Sequence, residues 1–171
     1  FKILAKESLS IHEKLIVILD MGSKIQQCIN TDEYDNIKSV VNDYLKEGIA
    51  HTLDETRNLS DSGQFEDISL QQGIRQILYP YEEMEVLNPE WEVILKDIID
   101  SLFEQMSDEE YNILNEEFGT YMVSRAYEYR QLLEYFVFRY FAKSIYDYDF
   151  LGKCQMLVTN FFVIRQMDII R

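Results

Sequence analysis

Apolar residues recur along most of the chain at three- and four-residue spacings, which predicts a succession of amphipathic helices. The clearest of these begins at Ser10, whose hydroxyl can form a capping box with Glu13, and runs to about Ile29. Helical patterns also reach both ends of the chain, FKILAKES at the start and VIRQMDIIR at the end.

The second predicted helix is capped by Thr31 or Asp32 and ends at Gly48, where the apolar spacing stops. Between residues 49 and 64 the pattern fades into polar sequence ending in LSDSG. This stretch predicts a loop that is partly helical near Leu53.

The third helix is predicted to begin around Asp67 or Ser69 and to break or kink at Tyr79, because Pro80 follows. It carries isoleucine and leucine at helical spacing. We expect that apolar face to belong to the core.

Two further helix starts are marked by capping residues. Asn88 and Pro89 fit the cap and first helical position of a fourth helix. Ser107 and Glu110 form a second capping box, from which a fifth helix is predicted to continue past Gly119 as one long, bent element.

The sequence from residue 132 to the end contains a dense aromatic and aliphatic run that is broken once, at the polar turn 147–149. Its first arm, residues 132–146, is apolar on nearly every side, so we expect other helices to cover it. The second arm begins at Phe150. Together the arms predict a buried helical hairpin.

Composition agrees with a helical fold. The chain has 171 residues, 47% of them hydrophobic, with only 6 Gly and 2 Pro, which favours long helices over many short turns. We therefore expect residues 1–171 to form a single all-α domain, a bundle of about five to seven helices with a buried aromatic C-terminal hairpin. The chain does not open with Met and both ends carry helical patterns, so we expect a C-terminal fragment of a longer protein.

The net charge of −15 excludes some partners. Binding to nucleic acid or to an anionic membrane requires clustered Lys and Arg, so we expect neither. Glu134, Arg139 and Lys143 interrupt the longest apolar run before it could span a bilayer. Acidic residues crowd positions 82–117, which indicates either a solvated helix face or a docking surface for a basic segment.

Candidate chemistry is sparse. The sequence contains no nucleophile–base pair, phosphate loop or metal-binding motif, and His12 and His51 have no ligand at a convincing spacing. Cys28 and Cys154 lie far apart on apolar faces, which suits reduced core thiols of an intracellular protein. We predict no catalytic residue and no metal site within these residues.

The most specific polar feature is Arg139, placed between Phe138 and Tyr140 in the aromatic arm. A guanidinium must be paired, stacked or led to the surface. One interpretation is that it stacks on Tyr135 and pairs with a carboxylate of another helix. The other is that Arg139, Tyr135, Tyr140 and Tyr148 bind an anionic ligand or a protein partner. Arg130 and Glu134 have the spacing of a surface ion pair.

Three segments resemble the C-terminal region of the flagellin lysine-N-methylase family. They are FVFRYFAKSIYDYD at residues 136–149, VTNFFVIR at 158–165 and LNPEW at 87–91. The resemblance runs in order from the helix at Ser10 to Arg171.

The resemblance implies a bacterial cytoplasmic enzyme that transfers methyl groups to flagellin lysines. S-adenosylmethionine is then the expected donor, and an N-terminal cysteine-rich segment is expected to hold an iron–sulfur cluster. This chain departs from the family there, because Cys28 and Cys154 match no such segment. It is therefore expected to be an accessory helical domain that supports the catalytic part, to be inactive alone, and to contact that part and flagellin.

An alternative from another class is a non-enzymatic helical module that binds a protein through its tyrosine-rich surface and acidic flank. Solvent exposure of the aromatic arm distinguishes a role in binding a partner from a role in the core. A contiguous exposed patch around Tyr135, Arg139 and Tyr148 would favour partner binding, whereas burial would make these residues part of the core.

Overall fold

The computed structural model describes residues 1–61, 68–82 and 89–170, and these residues form helices and turns with no strand among them. The helices are α1 (Ile11–Asn30), α2 (Tyr34–Lys46), α3 (Gly48–Asp61), α4 (Leu70–Glu82), α5 (Pro89–Ile99), α6 (Asp108–Met122), α7 (Ala126–Tyr140), α8 (Ser144–Asp147) and α9 (Phe150–Ile169). A π-helical segment, Asp100–Glu104, follows α5. The all-α prediction is confirmed.

Both predicted capping boxes form. At α1 the Glu13 amide donates to Ser10 Oγ over 3.2 Å, and the Ser10 amide donates to Glu13 Oε2 over 2.8 Å. At α6 Ser107 and Glu110 make the same reciprocal pair. The hydrogen bonds from the serine lower the pKa of each glutamate, so both carboxylates remain charged at the positive end of a helix.

The predicted cap of α2 is wrong. Thr31 instead closes α1, where its amide donates to the carbonyls of Gln27 and Ile29. Asp32 lies in the turn with a φ of 58°, and Glu33 precedes α2 without a side-chain capping bond.

The predicted loop at residues 49–64 is helical over most of its length, because α3 spans Gly48–Asp61. Only Ile49, Thr52 and Leu53 of this helix are buried. Its apolar stripe is therefore too short to stand out in the sequence, and packing against α1 and α2 stabilises it instead.

The start of the chain differs from its helical pattern. Residues 2–5 form turns, in which the Ala5 amide donates to the Phe1 carbonyl over 2.9 Å. Ile3 and Leu4 are buried. Burial of two apolar side chains therefore occurs without a helix, and the prediction is wrong at this end.

The other helix boundaries largely follow their signals. Ser69 caps α4 by accepting the Gln72 amide over 3.2 Å, and Pro89 begins α5. The helix α4 continues past Pro80, whereas a break or kink was predicted at Tyr79. Gly119 lies within α6. Asp67 and Asn88 lie outside the described residues.

The helices group into two compact units. The first combines residues 1–65 and 126–158, as far as they are described, and in it α1 packs against α2, α3 and α7. The second combines residues 66–125 and 159–171, and in it α4 packs against α5, the π-helical segment and α6. The helix α9 supplies residues to each unit. That residues 1–171 form a single domain stays a prediction.

The two arms of the predicted hairpin differ in burial. Most of α9 is buried or half-buried, and Gln155 is its one exposed residue among those described. On α7, Leu133 and Phe136 are buried, but Phe138 is 77% exposed. The prediction that other helices cover the first arm on nearly every side is therefore wrong for its outer face. No helix in the described ranges combines the length and apolar character that crossing a bilayer requires.

Candidate functional site

Of the predicted binding residues on α7, Tyr135 and Arg139 lie one turn apart on an exposed side of the helix, and Tyr140 is half-buried. Tyr135 is 54% exposed and its ring contacts Phe136 at 5.8 Å between centroids. The ring of the half-buried Tyr140 also contacts Phe136, at 6.0 Å between centroids. Phe136 therefore positions both tyrosines.

Arg139 is exposed, so its guanidinium reaches the surface and is not held inside the aromatic arm. Among the residues described, it forms no ion pair and no cation–π contact with Tyr135. The interpretation that Arg139 stacks on Tyr135 and pairs with a carboxylate is therefore wrong. Lys143, one turn further along, does make a cation–π contact, because its Nζ lies 5.5 Å from the centroid of the Tyr140 ring.

The exposed aromatic face is defined here as the exposed side chains Tyr135, Phe138 and Arg139 of α7 together with Tyr146 of the following helix α8. Tyr135, Phe138 and Arg139 share one side of α7 because they are three and four residues apart. Tyr146, on α8, is 86% exposed. Large apolar side chains that are this exposed are typical of protein interaction surfaces.

Tyr148, the fourth predicted residue, lies in the turn between α8 and α9. Its backbone is left-handed, with φ 56° and ψ 21°, an uncommon conformation for a bulky residue. Its side chain lines an apolar groove of about 470 Å³ in the first unit. The groove is formed by Ile25, Ile29, Tyr34, Ile37, Val41, Ser144, Ile145, Tyr148 and Phe150.

Gln26 of α1 holds the turn that bears Tyr148. Its Oε1 accepts the amides of Phe150 and Leu151 over 2.8 and 3.1 Å, and its Nε2 donates to the Tyr148 carbonyl over 2.9 Å. One side chain thus caps the start of α9 and fixes the left-handed residue before it. Since the capping group belongs to α1, local sequence around residue 148 gives no sign of it.

A polar cluster joins the first three helices. Asp20 Oδ2 accepts hydrogen bonds from the Tyr44 hydroxyl, from Thr52 Oγ1 at 2.6 Å and from Lys24 Nζ at 3.1 Å. Burial raises the pKa of Asp20, but the bonds from Thr52, Tyr44 and Lys24 outweigh burial and leave that pKa below its usual value. The carboxylate is therefore a structural anchor for α1, α2 and α3.

A second charged cluster lies between α1 and α7. Lys14 is buried, and burial together with the nearby Arg130 lowers the pKa of its ammonium, while Glu7 and Glu134 act in the opposite direction. Arg130 Nε lies 3.8 Å from Glu134 Oε1, which confirms the predicted ion pair. The four charges balance, so the cluster gives no net attraction for an anion.

In the second unit the buried polar groups are structural. The Tyr111 hydroxyl donates to Gln166 Oε1 over 2.8 Å, and burial raises the pKa of Tyr111 to about 12. Gln71 Nε2 donates to the Leu102 and Met106 carbonyls at the end of the π-helical segment. These contacts satisfy backbone groups that the irregular helix leaves free.

The residues that the structure describes do not fit the cofactors expected for the parent enzyme. An iron–sulfur cluster requires several thiolates together, whereas Cys28 and Cys154 are both buried, and the described residues include no group of metal-ligating side chains. The groove offers one serine and two tyrosine hydroxyls. That lining is too apolar for the carboxylate, ribose and adenine of S-adenosylmethionine.

The aromatic arm was predicted from the sequence, but the groove was not. Ile37 and Val41 of α2 have helical spacing, and both are half-buried at the groove wall. The residue whose position in the sequence indicates the groove is Tyr34, a large aromatic side chain at the first position of α2. Acidic residues on α5 and α6 lie on the solvent side, as in Glu116 and Glu117, which agrees with a solvated face.

These features define an all-α fold, and the described residues contain no constellation of reacting groups. The chain belongs to the family of FliB lysine N-methylase C-terminal domains, because the family model of that description matches residues 1–171, the whole chain. The resemblance noted in the sequence is thereby confirmed. No curated protein and no solved structure matches the chain.

Proposed function

We propose that this chain is the accessory helical domain of a protein-lysine N-methyltransferase, inactive alone, that supports a catalytic part outside these residues. The parent enzyme is proposed to be bacterial and cytoplasmic, to act on flagellin and to use S-adenosylmethionine. Its iron–sulfur cluster is proposed to belong to a cysteine-rich segment of the catalytic part. The family description supports the lysine methylase class.

The observation that carries the proposal is the exposed aromatic face. Phe138 and Tyr146 are 77% and 86% exposed. Each buried aromatic ring of this size stabilises an interface by roughly 2–3 kcal/mol, so covering several of them supports stable packing of one protein part on another. The adjacent Arg139 can pair with a carboxylate at the rim of such an interface.

The test is methylation of flagellin lysines by the parent enzyme, measured by mass spectrometry. Phe138→Glu places a charge in the aromatic face and should lower the rate at least about tenfold, a loss of about 1.4 kcal/mol. Val93→Glu, at an exposed position of α5, is the matched control and should keep normal activity. Equal activity of both variants would refute the packing role.

The 171-residue chain alone supplies the second arm of the test. It should neither methylate flagellin nor bind S-adenosylmethionine with micromolar affinity. Either activity in the isolated chain would contradict an accessory role, since the chemistry would then belong to these residues.

The same exposed face also favours the alternative, a non-enzymatic interaction module. The two proposals differ in what precedes this domain in the gene. Clustered cysteines upstream support the methylase, and their absence would favour the interaction module.

A further inference from the structure

The apolar groove of the first unit differs from the exposed aromatic face in shape and in surroundings. Its floor is Ile25, which is buried, and its walls are half-buried side chains of α1 and α2. Its rim carries Tyr34, Ile145 and Tyr148, all substantially exposed. The groove therefore offers a concave apolar surface that water now contacts.

The groove is held in a fixed shape. Gln26 ties the turn at Tyr148 to α1 through three hydrogen bonds to the backbone, as described above. The opposite wall is anchored by Asp20, which accepts from Tyr44 of α2. A preformed groove loses little conformational entropy when it is filled, which favours binding.

Charge distinguishes one end of the groove. A polar hollow of about 390 Å³ lies next to it and shares Tyr34, and its lining includes Asp32, Glu33 and Asp35. All three carboxylates are exposed, and none forms an ion pair with a described residue. The nearby carboxylates of Asp147 and Asp149 differ, because Lys153 pairs with both.

Asp32 and Glu33 do make local hydrogen bonds. The Tyr34 hydroxyl donates to Asp32 Oδ1 over 3.2 Å, and Asn36 Nδ2 donates to Glu33 Oε2 over 3.1 Å. These neutral donors orient the carboxylates without neutralising them. The end of the groove at α2 therefore keeps an uncompensated negative charge in a chain of net charge −15.

From this combination we infer that the groove binds a basic amphipathic segment of a partner protein. Large apolar side chains on one face of a helix would fill the space between α1, α2 and the Tyr148 turn. Lysine or arginine at one end would pair with Asp32, Glu33 and Asp35. This inference does not depend on the proposed packing of the aromatic face.

The probe is a fluorescein-labelled helical peptide of about 16 residues, with leucine on one face and lysine elsewhere. Anisotropy titration of the 171-residue chain should give saturable one-to-one binding that weakens as NaCl rises from about 0.05 M to 0.3 M. A twin peptide with glutamate in place of lysine should bind at least about tenfold more weakly. Absence of saturable binding, or equal binding of the twin, overturns the inference.

Two pairs of matched variants locate the peptide. Ile145→Glu at the groove rim should weaken binding at least about tenfold, whereas Ile113→Glu, an exposed isoleucine of α6, should not. Glu33→Lys with Asp35→Lys should weaken binding and reduce its salt dependence, whereas Glu116→Lys with Glu117→Lys makes the same charge change elsewhere. Equal effects within either pair would overturn the assignment to the groove.

Circular dichroism of each variant shows whether it is folded, and the exposed positions are chosen so that folding is retained. Sedimentation of the free chain tests whether a second copy of the chain occupies the groove instead of a partner segment. A dimer that Ile145→Glu dissociates would show that the groove is covered by the chain's own partner copy, which would also overturn the inference.

Discussion

At the residue scale, Gly22 of α1 lies against Cys154 of α9 so closely that a side chain has no room. A Cβ built on Gly22 would be 2.7 Å from Cys154 Sγ and 3.2 Å from its Cβ. Both residues are buried, so neither side can move aside into water. Glycine is required here for close approach of two helices.

Gly22→Ala should therefore lower the free energy of unfolding by about 1–3 kcal/mol, the usual cost of overpacking a core. Urea unfolding followed by circular dichroism measures it. Combining the change with Cys154→Ala removes the sulfur and should recover part of the loss. Strict additivity of the two changes would show that the contact does not set the cost.

Asp20 provides a prediction with pH dependence. Because its pKa is lowered in the folded state, the carboxylate contributes stability above its unfolded pKa, near 4, and that contribution is lost as pH falls through the folded pKa. Asp20→Asn should cost about 1–2 kcal/mol at pH 7, and the difference from the native chain should narrow below about pH 4. Asp61→Asn, at an exposed site of α3, should change little at either pH. A pH-independent loss at Asp20 would show that its charge is not the stabilising part.

At the element scale, the start of α9 is capped by Asp149, whose Oδ1 accepts the Gly152 amide over 2.9 Å, and also by Gln26 of α1. Gln26→Leu removes the acceptor for the Phe150 and Leu151 amides and should cost about 1 kcal/mol, the usual value of a helix cap. Hydrogen exchange of these two amides should speed up more than exchange at the middle of α9. Gln27→Leu, at the adjacent exposed position, is the control, and equal acceleration in both variants would argue against the cap.

Elements with complete local signals could be predicted from the sequence. The capping boxes of α1 and α6 and the proline that begins α5 depend on residues within one turn of each other, so the sequence displays them directly. The missed helix α3 has only three buried residues and depends on packing against other helices. Tertiary contacts, rather than local sequence, therefore stabilise the helix in that region.

The candidate site was predictable only in part for the same reason. The aromatic arm containing Tyr135 and Arg139 was evident from composition, but which of its faces is covered depends on distant helices. The groove required Gln26, more than a hundred residues from the turn that it fixes. No local pattern records such a contact.

At the scale of the whole molecule, the chain offers a separate reporter for each unit. Trp91, the only tryptophan, lies in the second unit, and Cys28 and Cys154 lie in the first. Both thiols are buried, and burial together with Asp149 raises the pKa of Cys154 to about 12, so each should react only after local or global opening.

Because α9 is one continuous helix with residues in each unit, we expect the units to unfold together. In guanidinium chloride, tryptophan fluorescence and labelling of the two thiols should show the same midpoint. Separate midpoints would demonstrate two independent folding units and contradict the single domain predicted from composition.

The order of these segments along the chain has a consequence for synthesis on the ribosome. Each unit is assembled from an early segment and a late one, and α9 is the last of the described helices to be synthesised. Neither core can be completed before α9 has been synthesised, so the apolar faces of α1 and α4 stay uncovered until then. Nascent chains are therefore expected to depend on chaperones until α9 emerges from the ribosome.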